Sequence, residues 1–174
     1  MNLQLLPVTL ETLPEFSMLL TQAALWLERE GKTLWNPLEL TPKALLEHYR
    51  MGEMYLATLE GEAVGTAVLM DSDLLIWPDA LEGEAMYAHK LCTARARAGQ
   101  GLGHALLDAA RAEARGRGKA FLRLDTSSQH PPLCAFYEGY GFEKVEERQV
   151  GPYLLNLYQL ELSKRQAVEH RIHR

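Results

Sequence analysis

The stretch Ala94-Arg95-Ala96-Arg97-Ala98-Gly99-Gln100-Gly101-Leu102-Gly103-His104 decides how this chain is read. Before it, Met86 to Thr93 has the character of a strand. After it, Leu102, Ala105, Leu106, Ala109 and Ala110 fall on one helical stripe that runs out near Gly116 and Gly118, and Ala120 to Asp125 forms a compact second strand. The unit is therefore strand, glycine loop, helix, strand. Glycine adopts left-handed dihedrals freely and lets a ligand approach the main chain, so successive amides in such a loop can converge on an anion. The first turn of the following helix adds unpaired N–H groups and the positive end of its dipole. A phosphate or pyrophosphate is the expected cargo, with Arg95 and Arg97 on the rim. No Gly-Lys-Ser/Thr follows, which excludes a Walker loop. Asp125 ends the next strand where a dinucleotide-binding domain carries its ribose acid, but the Gly-x-Gly-x-x-Gly spacing is absent.

Working outward, Asn2 to Val8 reads as a first strand. Thr12, Pro14 and Glu15 read as a capping box opening a helix that Gly31 stops. Thr41-Pro42 opens a second, shorter helix ending near Gly52. Met54 to Leu59 and Ala63 to Met70 read as a hairpin joined at Glu60-Gly61-Glu62, and Leu74 to Trp77 as an extension of that sheet. Pro131 to Tyr140 reads as a further helix. Phe142 to Glu147 and Tyr153 to Leu162 close the sheet. The order is β-α-α-β-β-β-α-β-α-β-β, an α+β arrangement and too short in repeated βα units for a doubly wound fold. Residues 1–162 form one expected domain, and 163–174 a basic tail.

The chain has 174 residues, 18 Lys plus Arg against 23 Asp plus Glu, and a net charge of −5. That balance argues against a broad nucleic-acid surface. Between Arg95 and Lys119, however, six basic and two acidic residues leave a local +4, so a single anionic ligand is compatible with an acidic chain. No apolar run reaches the ~20 residues of a membrane helix, and no basic leader precedes Arg29. The expectation is a cytoplasmic protein with Cys92 and Cys134 as free thiols.

Downstream stands Leu133-Cys134-Ala135-Phe136-Tyr137-Glu138-Gly139-Tyr140-Gly141-Phe142. Read alone it is an aromatic helix end with a glycine stop, in which at least two of Phe136, Tyr140 and Phe142 are expected in the core. Taken with the glycine loop, Arg97 to Leu107 resembles the acetyl-CoA-binding motif of the GNAT N-acetyltransferases, and Phe136-Tyr137-Glu138 through Gly141-Phe142 resembles that family's following helix. The resemblance is carried by Tyr87 to Phe142. It implies a GNAT fold, with a mixed, mostly antiparallel sheet of six to seven strands flanked by about four helices.

For function the resemblance implies an N-acetyltransferase that moves acetyl from acetyl-CoA to a primary amine by direct attack, without a metal. The main chain at Leu91, Cys92 and Thr93 would bind the pantetheine arm. The loop Ala98, Gly99, Gln100, Gly101, Leu102, Gly103 and His104 would hold the pyrophosphate. Leu133 and Phe136 would flank the cofactor, and Tyr137 would donate a proton to the leaving CoA thiolate. Two positions depart from the family pattern: Ala98 where an Arg or Gln usually begins the motif, and His130 where many members have Asn. His130 is either a substitute donor to the cofactor or a loop histidine. Tyr87 occupies the position of a glutamate base found in some members, which leaves His89 and Glu84 as candidates for the base. The acceptor is a small-molecule or peptide amine; nucleic acid and membrane are not implied, and homodimers are common in the family. A non-catalytic CoA-binding domain and, through Asp125, a nicotinamide-dependent reductase are the competing readings.

Overall fold

The structure is a computed structural model and describes residues 1–162, so the basic tail at 163–174 lies outside the described residues. Its elements are β1 (Leu3–Pro7), α1 (Leu13–Arg29), α2 (Pro42–His48), β2 (Met54–Leu59), β3 (Glu62–Met70), β4 (Ala85–Thr93), α3 (Leu102–Gly116), β5 (Phe121–Ser127), α4 (Pro131–Tyr140), β6 (Glu143–Val150) and β7 (Tyr153–Glu161). The seven strands lie in the order β1-β2-β3-β4-β5-β7-β6. This is the α+β order expected from the sequence. The chain divides into two compact units, Met1–Leu69 with His89–Ala110, and Met70–Ala88 with Arg111 onward.

In the first unit α1 buries Leu13, Phe16, Leu20, Ala23 and Ala24, a stripe at spacings of three and four. Gly31, at φ +72, turns the chain out of α1 while the Lys32 amide returns to the Leu27 carbonyl at 2.8 Å. The capping box is not formed. Thr12 is itself helical in φ and ψ, and its side chain makes no cap. Instead the Thr9 amide donates to the Thr12 hydroxyl and the Thr12 amide to the Thr9 hydroxyl, at 2.9 and 3.3 Å. At α2 the reading fares better, since Thr41 accepts from the Ala44 amide at 3.2 Å. That helix ends at His48, and a separate 3-10 turn occupies Met51–Glu53. Between β2 and β3, Glu60 and Gly61 both have positive φ (51° and 82°), the two-residue turn that matches strand twist.

One contact fixes β3 against the end of β4. A Cβ built on Gly65 would lie 2.5 Å from the Cys92 carbonyl oxygen, closer than any side chain tolerates. Beside it, the Thr66 hydroxyl donates to the Lys90 carbonyl at 2.7 Å. Lys90 itself has φ +51, a left-handed residue inside a strand, as at a β-bulge.

In the second unit β5 pairs antiparallel with β7, and β7 with β6. The pairing of β4 with β5 is parallel and covers three positions, Ala85↔Phe121 to Tyr87↔Arg123. The expected strand at Leu74–Trp77 is absent. The Trp77 amide bonds the Asp73 carbonyl at 2.8 Å, Pro78 follows, and the segment folds as a turn that sends Ile76 and Trp77 into a core with Ala85, Tyr87 and Leu157. Against the expectation of at least two core aromatics among Phe136, Tyr140 and Phe142, Phe142 alone is fully buried, with Phe136 and Tyr140 half-buried. β6 is an exposed edge strand carrying Glu143, Lys144, Glu146, Glu147 and Arg148 and a register shift at Lys144/Glu146, both of which oppose pairing with another chain.

The close approach at residue 65 gives a direct prediction. Gly65→Ala should lower stability by about 1–3 kcal/mol through a displaced β4, read as a shift of the urea midpoint at constant slope.

Candidate active site

The residues proposed to bind the cofactor fall into two groups, one in each unit. In the first, Leu91, Cys92 and Thr93 follow the left-handed Lys90 directly. The Ala94 amide returns to the Val64 carbonyl at 2.7 Å, and a 3-10 turn at Arg95–Arg97 leads into the glycine loop. Gly99 and Gly101 have φ of +82 and +75, and a Cβ on either would meet nothing within 4 Å. Glycine is required there for its conformation, not for want of space. Leu102, Gly103 and His104 form the first turn of α3, whose amides have no intrahelical acceptor by helix geometry. Gly103 is therefore helical, unlike the two glycines before it.

The rim arginines are both engaged. The Arg95 guanidinium stacks 3.5 Å above the Trp26 ring, and Arg97 bonds Glu62 at 2.8 Å and Gln100 at 3.1 Å. The Lys90 ammonium lies over Trp35 and Tyr49, 5.6 and 5.9 Å from their centroids. Cys92 is buried, 3.1 Å from the Thr66 hydroxyl, and burial pushes its thiol up to about 11. At neutral pH it is a thiol and a poor nucleophile. His89 is half-buried in β4.

In the second unit His130 stands at the N-cap of α4 without capping it, and both its ring nitrogens are buried with no partner among the described residues. Leu133 is half-buried. Tyr137 is buried, with edge contacts to Phe136 and Phe142 at 5.6 and 5.9 Å between centroids. Burial first, then the Asp125 charge and Cys134, push its phenol well above the ordinary tyrosine value, so it stays protonated throughout the neutral range.

Glu84 is committed to a structural cluster. Its carboxylate accepts from the Leu81 amide at 2.6 Å and from Arg123 at 3.3 Å. Arg123 is 7% exposed, donates also to the Tyr87 hydroxyl at 3.0 Å and to Gln159 at 2.8 Å, and sits 4.8 Å above the Trp77 ring. The Leu81 N–H holds the Glu84 carboxyl below its ordinary 4.5, burial opposes this, and Arg123 reinforces it. The sequence reading missed Arg123; a lone arginine inside the apolar run Phe121-Leu122-Arg123-Leu124 was the available signal.

With this geometry in place, the acetyltransferase (GNAT) family profile matches residues 20–142, spanning the glycine loop and Tyr137. The chain belongs to the GNAT acetyltransferase family. The uncharacterized N-acetyltransferase YesJ of Bacillus subtilis (strain 168) is 27% identical over 143 residues, 79% of each chain. A GNAT-family acetyltransferase from Listeria monocytogenes superposes with a TM-score of 0.77 at 24% identity, over 92% of this chain and 95% of that one. The aminoglycoside acetyltransferase AAC(6')-Ib, solved in complex with coenzyme A and kanamycin, gives 0.72 at 20% identity, over 97% and 98%. The fold of this GNAT-type N-acetyltransferase, a mixed, mostly antiparallel seven-stranded sheet with four α-helices, thus matches that of solved neighbours. Among the described residues, no helix is long and apolar enough to cross a membrane.

The Glu84 cluster has a pH signature. A carboxyl more acidic in the folded than in the unfolded chain stabilises the fold above its unfolded value and loses that contribution as pH falls through the folded one. Glu84→Gln should therefore be less stable than the parent at pH 7, with the gap closing toward pH 3 in paired urea titrations.

Proposed function

We propose that this chain transfers the acetyl group of acetyl-CoA directly to a primary amine, with Tyr137 as the proton donor to the leaving thiolate. The observation that carries the reading is the one family match that runs through both the glycine loop and Tyr137. Bound acetyl-CoA supplies a thioester carbonyl open to attack. The residues fit that group: the left-handed Gly99 and Gly101 leave room beside their backbone, and the buried, unpartnered nitrogens of His130 need a polar partner. The loop Ala98 to His104 binds the pyrophosphate through main-chain amides, which suits a loop whose Arg97 is held by Glu62 and Gln100. The main chain of Leu91 to Thr93 binds the pantetheine arm and stabilises charge on the carbonyl oxygen. His130, Leu133 and Phe136 complete the cofactor contacts.

His89 is the better base, because the Glu84 carboxylate is occupied by the Leu81 amide and Arg123 and held below its ordinary range. Tyr137, kept protonated by burial, is matched to the opposite task. Neither cysteine is needed as a nucleophile, and the raised thiol of Cys92 agrees with direct transfer. The acceptor is a small-molecule or peptide amine.

The test is to mix the protein with acetyl-CoA and a panel of amines and follow free thiol. Amine-dependent thiol release is expected. Tyr137→Phe should lower kcat about 100-fold while KM for acetyl-CoA changes less than about threefold. Tight CoA binding without turnover across the panel would make the chain a binding module, and thermal stabilisation by NADPH but not by CoA would turn the reading toward a reductase.

A further inference from the structure

Spacing along α4 puts Cys134, Tyr137 and Glu138 on one face of the helix. On β7, Asn156 and Tyr158 are two residues apart and so share a face, and both are buried. The two faces are joined by a continuous set of bonds. The Tyr158 hydroxyl donates to the Glu138 carboxylate at 2.7 Å and receives the Asn156 Nδ2 at 3.3 Å. The same Nδ2 reaches the Cys134 Sγ at 3.4 Å, and the Cys134 thiol donates to the Ser127 carbonyl at 3.4 Å. β7 therefore grips α4 at residues 134 and 138, on both sides of Tyr137 and within about one turn. The Tyr158 ring also packs against the Tyr137 ring, 6.1 Å between centroids, while Phe142 closes another side at 5.9 Å.

Packing alone does not account for the polar members of this grip. Asn156 is 6% exposed, and its Oδ1 has no partner among the described residues, nor has the Oγ1 of Thr126 directly across the ladder. A buried amide with half its bonding capacity unmet is a poor choice for stability. It is, however, the group that reaches both Cys134 and Tyr158. We propose that Asn156, Tyr158 and Glu138 form a clamp that sets the height and rotation of the Tyr137 hydroxyl. They are positioning residues, acting on proton delivery and not on acetyl-CoA binding. The proposal rests on the reading of Tyr137 as the proton donor.

The experiment measures thiol-release kinetics for Tyr158→Phe, Glu138→Leu and Glu138→Gln, each alone and combined with Tyr137→Phe. It is paired with 13C NMR of protein labelled at tyrosine Cζ. Tyr158→Phe and Glu138→Leu should each lower kcat roughly tenfold with KM for acetyl-CoA within about twofold, the scale of a misplaced catalytic group. Glu138→Gln keeps an acceptor oxygen and should recover most of that loss. In the Tyr137→Phe background the same substitutions should change kcat less than about twofold, because their effect passes through the missing hydroxyl. The Tyr137 Cζ resonance should move in Tyr158→Phe. Glu138 is exposed, so its variants carry the test if Tyr158→Phe fails to fold. A slow Tyr137→Phe enzyme in which the clamp losses persist undiminished overturns the clamp alone, as does full kcat in both Tyr158→Phe and Glu138→Leu. A Tyr137→Phe enzyme with full kcat overturns the proton-donor reading, and this proposal with it.

Discussion

Where β3 passes β4, a backbone oxygen occupies the space that a side chain at residue 65 would need. The rest of the first unit's chemistry is arranged around that approach. Because Gly65 lets the strands close, Thr66 reaches the Lys90 carbonyl, and Lys90 is held in a left-handed conformation that costs on the order of 1–3 kcal/mol. The compensation is visible on the same residue. The hydroxyl bond contributes about 1 kcal/mol, and each aromatic ring under the ammonium about 0.5–1 kcal/mol. These terms are of the same size as the strain, so the bulge persists. Every cofactor contact proposed for this unit, Leu91 through His104, begins at the next residue, and a bulge is the ordinary means by which a strand re-aims its backbone groups.

The second unit divides its work between the two faces of one sheet. Along β5, Phe121 and Arg123 lie on the side that packs with Trp77, Tyr87 and Leu157, while Leu124 and Thr126 stand opposite Tyr158 and Asn156 on the side gripped by α4. Strand alternation enforces this separation. One face satisfies a buried guanidinium with three donated bonds and three aromatic rings. Under the proposed function that arrangement leaves Glu84 a poor proton acceptor near neutrality. A carboxylate useful as a base near neutrality must be destabilised as an anion, and here an amide and an arginine stabilise it. The other face does the reverse for Tyr137, raising its pKa by burial, so the same sheet holds one acid ionised and another neutral.

Local chemistry decided how much of this was legible. The bounds of α4 could be read because Pro131-Pro132 opens it and Gly141, at φ +124, ends it, both signals within the element itself. The Glu60-Gly61 turn and the Gly99/Gly101 loop were visible for the same reason. Leu74–Trp77 was misread as a strand because four apolar residues do not say which partner they bury against, and here Trp77 turns into a core shared with Tyr87 and Leu157. The Thr12 cap failed because Thr9, three residues earlier, competes for the same groups. Lys90, Arg123 and the Asn156–Tyr158–Glu138 set depend on partners 20 or more residues away, and no window along the chain contains both ends.

An acidic chain that takes a polyphosphate must find attraction without net positive charge. Under the proposed function the loop does so with backbone amides, which carry partial positive charge but contribute nothing to the −5 total. The arginines nearest the loop are spent elsewhere, Arg95 on Trp26 and Arg97 on Glu62 and Gln100. Binding is then directional more than Coulombic, and its salt dependence should be weaker than that of a site built from free arginines.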